Sequence, residues 1–264
     1  VYSTFSLRRF ISDFKIAKEM NLVSSTCTYA NICYFMQRED LTDILKELIK
    51  ISSTPLKDVE SNFAIDSSGF STSRFGRWFD YKWGKERKIR MWMKAHVMSG
   101  TKTNIITAVE VTEGRDNDSP QLPRLVQESA KTFALSEVVC DKAYLSKENL
   151  RVIDEEGAKA FIPFKSNSNA RSHYGGTSTL WKKMYYYFMY KNEDFKKHYN
   201  QRSNAETVFH MIKTKFKDNL RSKTKTAQVN ELLLKVLCHN ICVVIQEISE
   251  LGIKGEFVVE KEVE

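Results

Sequence analysis

Apolar residues in the first fifty positions recur at helical spacing. One set lies within residues 7–14 and a second within residues 41–48. Side chains spaced three or four residues apart line one face of an α-helix. The pattern therefore predicts helices within residues 4–50, with Ser24 or Ser25 as a candidate cap between them.

Beyond Pro55 the pattern changes from helical to strand-like. Three short apolar segments at 62–66, 89–98 and 104–111 are joined by turn-rich loops, which predicts an antiparallel meander. The elements that follow are a helix at 120–133, a strand at 137–140, a helix at 146–155 and a strand at 158–164. Helix-linked strands after a meander indicate an α/β fold, a mixed sheet with helices covering its faces.

The last third of the chain is predicted to be helical. Residues 165–198 read as a polar connection and then an aromatic helix with a core-facing stripe of Trp181, Met184, Tyr185 and Phe188. Residues 199–216 are expected to continue as one helix, and residues 227–251 as a long helix that is apolar almost all round and must be buried. We therefore divide the chain into a helical N-terminal part (1–54), one α/β domain (55–251) and an acidic tail (252–264).

Composition narrows the class of protein. A content of 42% hydrophobic and 12% aromatic residues excludes intrinsic disorder. The longest apolar stretch, 232–245, is interrupted by Lys235, His239 and Asn240 and falls short of the ~20 residues of a membrane span, so no membrane association is expected. Five scattered cysteines and no apolar export signal suit a reducing, cytoplasmic compartment.

Positive charge is concentrated in two blocks. The chain carries 41 Lys and Arg against 33 Asp and Glu, a net charge of +8. Residues 81–94, with Arg87 and Lys88, and residues 213–225, with Lys215 and Lys217, each hold six cations against one acid. Such blocks favour a polyanion such as nucleic acid, because phosphate neutralisation releases counterions. A solvated lysine face is the alternative for either block alone.

Two carboxylates lie where apolar strands are predicted to end. Asp66 occurs in AIDSSGF and Asp141 in VVCDKAY. A carboxylate at the end of a buried strand is costly unless it is capped or bound to a cation, although either Asp also suits a turn. Together with a helical Glu, the two Asp residues make a hard oxygen site suitable for Mg²⁺ or Mn²⁺.

The third carboxylate belongs to a polar stripe on the predicted helix 199–216. Tyr199, Arg202, Glu206 and Lys213 project within an arc of about 60°. An ordinary surface ion pair between Arg202 and Glu206 explains part of this stripe. Taken alone, the stripe does not indicate a function.

The three motifs together resemble the DDE transposases of bacterial and archaeal insertion sequences. All four residues of the stripe match the Tyr-Arg-Glu-Lys signature of one large group in that family, in type and spacing, and the resemblance covers about residues 55–245. It implies an RNase H-like catalytic domain in which Asp66, Asp141 and Glu206 are the catalytic triad and hold two Mg²⁺ (or Mn²⁺) ions. It further implies strand cleavage at element ends and transfer of the 3′-OH into target DNA.

The resemblance also implies partners and DNA-binding residues. Double-stranded DNA, as terminal repeats and as target, is the expected partner. A homo-oligomer in the synaptic complex and a prokaryotic cytoplasmic location at the nucleoid are also expected, with DNA-end or dimer contacts from residues 1–54. Helix capping explains Asp118. The DNA-binding candidates are Tyr199, Arg202, Lys213, Lys142, Lys165, Lys215, Lys217, Arg87 and Lys88.

The spacing of the acids bounds the size of the insertion, and two alternative functions stay open. Only 65 positions separate Asp141 from Glu206, so the segment 165–198 is a compact insertion without room for a large β-rich one. A catalytically silent, DNA-binding transposase remnant and a non-transposing RNase H-like nuclease are the alternative functions.

Overall fold

The computed structural model describes residues 7–72, 92–170 and 179–257. Five strands form one mixed sheet in the order β3-β2-β1-β4-β5. The strands are β1 (Asn62–Ser71), β2 (Trp92–Gly100), β3 (Ile106–Glu113), β4 (Glu137–Cys140) and β5 (Lys159–Phe161). β1, β2 and β3 pair antiparallel, whereas β4 pairs parallel with both β1 and β5. The predicted meander and mixed sheet are present, and the arrangement is compatible with an RNase H-like fold.

Helices precede, connect and follow these strands. They are α1 (Leu7–Glu19), α2 (Tyr29–Met36), α3 (Asp40–Ser53), α4 (Leu122–Ala130), α5 (Lys147–Glu155), α6 (Thr179–Tyr190), α7 (Asn192–Tyr199), α8 (Ser203–Phe216) and α9 (Lys225–Leu251). The N-cap of α2 is Thr28, whose hydroxyl accepts from the backbone of Asn31, so the expectation of a cap at Ser24 or Ser25 was wrong.

Two strands differ in length from the prediction. β1 runs on to Ser71 instead of ending at Asp66, because its polar second half stays paired with β2. Ladder hydrogen bonds there outweigh the turn preference of the Ser-Ser-Gly sequence. β5 ends at Phe161, because it is an edge strand with one partner and Pro163 follows two residues later.

Two helices also differ from their predicted form, because each contains a 3₁₀ turn. The segment 199–216 is not one helix: α7 ends at Tyr199, a 3₁₀ turn spans Asn200–Arg202, and α8 begins at Ser203. The Ser203 hydroxyl donates to the Asn200 carbonyl within this break. The helix expected at 120–133 begins as a 3₁₀ turn at Ser119–Gln121 and becomes α-helical only as α4.

The sheet buries both of its faces. Phe63 and Ile65 of β1 pack with α4, α5 and α6 on one side. Phe70 of β1 and Val97 of β2 pack with α3, α8 and α9 on the other. Because neighbouring residues of a strand point to opposite faces, β1 supplies side chains to both cores in alternation. α3 belongs to this second core, whereas no residue between 7 and 36 is buried.

Helix α9 is half buried, so the expectation of burial on all sides was wrong. It exposes a stripe of Ile241, Ile245, Ile248 and Leu251. By length and composition it is the one helix among the described residues that could cross a membrane, with a mean hydropathy of 1.5 over its best window. Half of that window is buried in the protein, as is also usual for a core helix.

Candidate active site

The sheet brings Asp66 and Asp141 to the same place on neighbouring strands. The parallel ladder between β1 and β4 ends with the pair Ile65 and Cys140, and the two Asp residues follow directly. Neighbouring strands lie about 4.8 Å apart. Asp66 is therefore not at the end of its strand, as the sequence suggested, but at the point where β1 loses one neighbour and keeps the other.

Arg202 joins the first and third acids of the predicted triad. Its Nη1 lies 3.3 Å from Oδ2 of Asp66, and its Nη2 lies 2.5 Å from Oε1 of Glu206. The helical ion pair between Arg202 and Glu206 is therefore present, but the same guanidinium also reaches β1. Asp66, Asp141, Arg202 and Glu206 are called the carboxylate cluster below.

Asp66 is electrostatically the most costly member of the cluster. Its side chain is 19% exposed, and Oδ1 accepts a hydrogen bond of 2.8 Å from the backbone of Ser67. Burial raises the pKa of Asp66, and the charges of Asp141 and Glu206 raise it further. The Ser67 N–H and Arg202 act in the opposite direction without cancelling this rise. Such a crowded, poorly solvated carboxylate is typical of functional sites.

The other two residues of the signature also lie against this region. Lys213 donates to Oγ of Ser68, 2.7 Å away, on the same face of β1 as Asp66, and burial lowers the pKa of Lys213. The ring of Tyr199 stacks on Phe195, and burial raises the pKa of Tyr199, whereas the charge of Arg202 acts in the opposite direction. The predicted polar stripe therefore faces one strand despite the break before α8.

The remaining DNA-binding candidates make no hydrogen bond or ion pair with the cluster in the described parts of the chain. Lys142, Lys165, Lys215 and Lys217 are exposed, and no contact in the described parts of the chain joins them to the cluster. Lys142 directly follows Asp141 in a 3₁₀ turn, Lys142–Tyr144. Arg87 and Lys88 lie outside the described residues.

A cluster of polar side chains on the sheet face opposite to Asp66 was not predicted. His96 of β2 pairs with Ser67, so it lies on the face opposite to Asp66, where Lys94 also projects. Lys94 Nζ binds the Asp118 carboxylate at 2.8 Å, and the Asp118 side chain caps no helix, so the capping explanation was wrong. Burial lowers the pKa of the fully buried His96 to about 4. The signal was present in the sequence, as Lys94 and His96 alternate with apolar residues of one strand.

The carboxylate cluster fits a divalent cation by its chemistry. As they stand, no three His, Cys, Asp or Glu side chains of the described residues are placed to hold one metal ion. The donors are nevertheless hard carboxylate oxygens, the ligands that Mg²⁺ and Mn²⁺ prefer. Asp66 and Asp141 are already neighbours, whereas Glu206 is held by Arg202. Arg202 occupies one oxygen of Asp66 and one of Glu206, so a metal ion held by both acids would compete with its guanidinium.

The fold is a mixed α/β one that is compatible with an RNase H-like fold, and the crowded carboxylates lie at the middle of its sheet. Residues 57–241 match the family described as the transposase DDE domain. The match covers more than two thirds of the chain and contains all three acids of the cluster. The chain belongs to this family, and membership implies a DNA-binding enzyme of the nuclease or transposase kind.

Proposed function

We propose that the protein is an insertion-sequence transposase of the Tyr-Arg-Glu-Lys group. It cleaves DNA at the ends of its element and joins the freed ends to target DNA. The observation that carries the proposal is the Arg202 bridge between Asp66 and Glu206, beside Asp141. The carboxylate cluster thus contains three acids and an arginine that is able to bind a phosphate group. The chain that carries it belongs to the transposase DDE domain family.

The reaction is a pair of phosphoryl transfers. Water attacks a phosphodiester at the element end, so that the bond from phosphorus to the 3′ oxygen breaks and a 3′-OH is freed. That hydroxyl then attacks a target phosphodiester, forms a new bond to phosphorus and displaces the 3′ oxygen of the target strand. Two Mg²⁺ or Mn²⁺ ions, when bound, would activate the attacking oxygen and stabilise the leaving oxygen. Asp66, Asp141 and Glu206 would hold these ions.

Arg202 has two alternative partners in this scheme. Without DNA its guanidinium forms ion pairs with Asp66 and Glu206. A DNA phosphate offers the same planar pair of oxygens to that guanidinium. Exchange of Arg202 onto phosphate positions the DNA strand and frees Glu206 in a single step.

The basic residues hold the DNA around this centre. Lys213 lies beside the cluster on Ser68 and Lys142 follows Asp141, so both suit the backbone of the reacting strand. The exposed Lys215, in the last turn of α8, and Lys217, directly after α8, extend this contact along a duplex. Lys165 past β5 adds to it, and Tyr199 lies against a sugar or phosphate. Arg87 and Lys88 would add to it. We further propose a homo-oligomeric synaptic complex at the prokaryotic nucleoid.

The test is cleavage of DNA duplexes that carry the terminal repeats flanking the gene. With Mg²⁺ or Mn²⁺, we expect nicking that frees a 3′-OH. Asp66→Asn, Asp141→Asn and Glu206→Gln should each lower the rate at least about a thousandfold, a loss of about 4 kcal/mol of transition-state stabilisation. Asp154→Asn, at an exposed acid of α5, is the matched control with an unchanged rate.

The outcomes separate this function from its alternatives. Cleavage that survives any one of the three changes removes that residue from the triad. Binding of the repeats without cleavage under either metal indicates a silent remnant. Cleavage without joining to a target indicates a simple nuclease. The family match favours neither alternative.

A further inference from the structure

Helix α9 carries two apolar faces. Its inner face is buried in the core, with Val236 and Val243 near its middle. Its outer face exposes Ile241, Ile245 and Ile248. One apolar stripe is enough to dock a helix on its own domain. The outer stripe is therefore not needed to hold α9 in the fold.

The outer stripe has the spacing of a coiled-coil seam. The half-buried Leu234 and Cys238 continue it toward the N-terminus, so that successive members are four, three, four and three residues apart. This alternation averages 3.5 residues, the repeat with which two helices pack along each other. Beside the seam, Cys242 and Ser249 carry no charge, and the Lys235 ammonium donates to two backbone carbonyls. The seam is therefore self-complementary.

Helix α3 widens this apolar surface. It packs beside α9 in the same core. Lys46 marks the side of α3 at the edge of the sheet, because its Nζ binds Oε2 of Glu110 at 2.7 Å. Ile44 and Leu48 are exposed about 160° around the helix from Lys46, on the side away from that edge. Ile44, Leu48 and the three exposed isoleucines of α9 are called the outer patch below.

The outer patch is large enough for a stable contact. Its five side chains are 41–63% exposed. They present on the order of 400 Å² of apolar surface, which is as large as the patches that mark interaction sites. A standard interface covers about 800 Å² on each partner, a little over half of it non-polar. The outer patch thus supplies most of the apolar part of such an interface.

We propose that the outer patch is the contact between two copies of the chain, with their α9 helices packed in parallel along the seam. The acids beside the patch set the direction. Asp43 and Glu47 lie exposed next to Ile44 on α3. An antiparallel pair would set α3 of one copy against α3 of the other and bring these acids together. A parallel pair places the two α3 helices on opposite sides of the seam.

A lipid surface is a less suitable occupant. Helices that lie on membranes carry Lys and Arg beside their apolar face. Asp43 and Glu47 occupy that place on α3, and anionic headgroups repel them. The inference specifies the interface of the proposed homo-oligomer, and it rests on the proposed function for its biological role.

The first experiment measures the mass of the full chain by sedimentation equilibrium, without DNA or metal. One chain has a mass of 30.7 kDa, and twice this mass is expected. Ile245→Glu should weaken dimerisation at least about a hundredfold, because a two-fold interface contains each substitution twice. Ile245→Leu keeps an aliphatic side chain and should remain a dimer. Met189→Glu, at an exposed apolar residue of α6, is the matched control and should also remain a dimer.

Thermal unfolding separates loss of the interface from loss of the fold. The unfolding temperature of the unchanged chain should rise with protein concentration, because dimerisation stabilises the folded state by mass action. Ile245→Glu should still unfold cooperatively, at a temperature that does not depend on concentration.

Oxidation of the native cysteines tests the direction of the helices. In a parallel pair each residue of the seam lies opposite the same residue of the other copy. Copper-catalysed oxidation should therefore link Cys238 of the two copies in a disulfide. Cys238→Ser should abolish the linked dimer, whereas Cys242→Ser, one turn further and beside the seam, should retain it.

Four outcomes would overturn the proposal. They are a monomeric unchanged chain, a dimer that survives Ile245→Glu, a dimer that oxidation does not link through Cys238, and a monomer that sediments with phosphatidylglycerol vesicles unless Ile245 is changed. The last outcome would assign the outer patch to a lipid surface. These assays contain neither DNA nor metal, so a monomer would contradict the interface alone, and failure of cleavage would contradict the proposed function alone.

Discussion

Two regions of the molecule bury polar side chains, and they do so in opposite ways. In α9, Asn240 is fully buried, and its amide accepts from the backbone of Ile106 and donates to Ile106, Ile49 and Ser52. Lys235 donates to two backbone carbonyls, at 3.0 and 2.8 Å. Both groups find hydrogen-bond partners in the fold, although burial still lowers the pKa of Lys235.

The carboxylate cluster lacks such complete compensation. Asp66 receives one backbone N–H and one end of Arg202, while two other acids raise its pKa. The comparison teaches that burial of a polar group is not by itself a sign of function. The hydrogen-bonded Asn240 holds α9 in place, whereas the incompletely compensated charge of Asp66 is of the kind that clusters at functional sites.

The largest expected effect on stability lies in α9. Asn240→Ala leaves the buried N–H and C=O of Ile106 without this partner and should lower the free energy of unfolding by about 3 kcal/mol or more. Urea denaturation measures the change. Gln246→Ala, at an exposed position on the same helix, is the control and should have little effect. A loss below about 1 kcal/mol would show that Asn240 does not stabilise the fold as its bonds suggest.

The pH dependence of stability should come from the buried imidazoles. Burial lowers the pKa of His96 and of His239 to about 4, below the ordinary value of 6.5. The unfolded chain therefore binds more protons between these values, and stability falls as the pH falls from 6.5 toward 4. Each residue contributes up to about 3 kcal/mol to this loss.

The histidine prediction is checked by urea denaturation at several pH values. His239→Gln, which keeps a donor toward the Asn104 carbonyl, should flatten the decline below pH 6.5. An unchanged decline would mean that His239 is protonated in the folded protein without penalty.

A smaller effect, on metal and DNA affinity, is expected when Arg202 is replaced. It tests whether the guanidinium exchanges between the carboxylates and a DNA phosphate. Arg202→Gln removes the cation between Asp66 and Glu206, so Mn²⁺ should bind the DNA-free protein several-fold more tightly, as measured by calorimetry. The same change should weaken DNA binding, because a phosphate contact is lost. Arg151→Gln, at an exposed helical ion pair, is the control. Equal Mn²⁺ affinity in all three proteins would show that Arg202 does not compete with the metal.

The fold was predictable where apolar periodicity is strong. The meander, the helix-linked strands and the core stripe around Met184 follow directly from the spacing of apolar residues. The second half of β1 was missed because the local preference of Ser67 and Gly69 is for a turn, whereas distant backbone pairing with β2 decides the structure. The spacing of apolar residues contains no information about pairing with a strand that is distant in the sequence.

The same limit applies to the site. The residues of the three acidic motifs were recognisable, because their types and spacing are specific. That Arg202 reaches Asp66, 136 positions away in the sequence, could not be read from helical geometry. Asp118 was assigned to a cap because its local sequence suits one, whereas its partner Lys94 lies on another strand.

The most direct test compares the two regions in one measurement. The free energy of unfolding at pH 7, in metal-free buffer, is determined for the unchanged chain, Asp66→Asn and Asn240→Ala. We predict that Asp66→Asn is more stable than the unchanged chain, because a neutral amide removes the charge that the fold disfavours, and that Asn240→Ala is less stable. Destabilisation by Asp66→Asn comparable to that of Asn240→Ala would contradict the distinction between the carboxylate cluster and the satisfied core of α9.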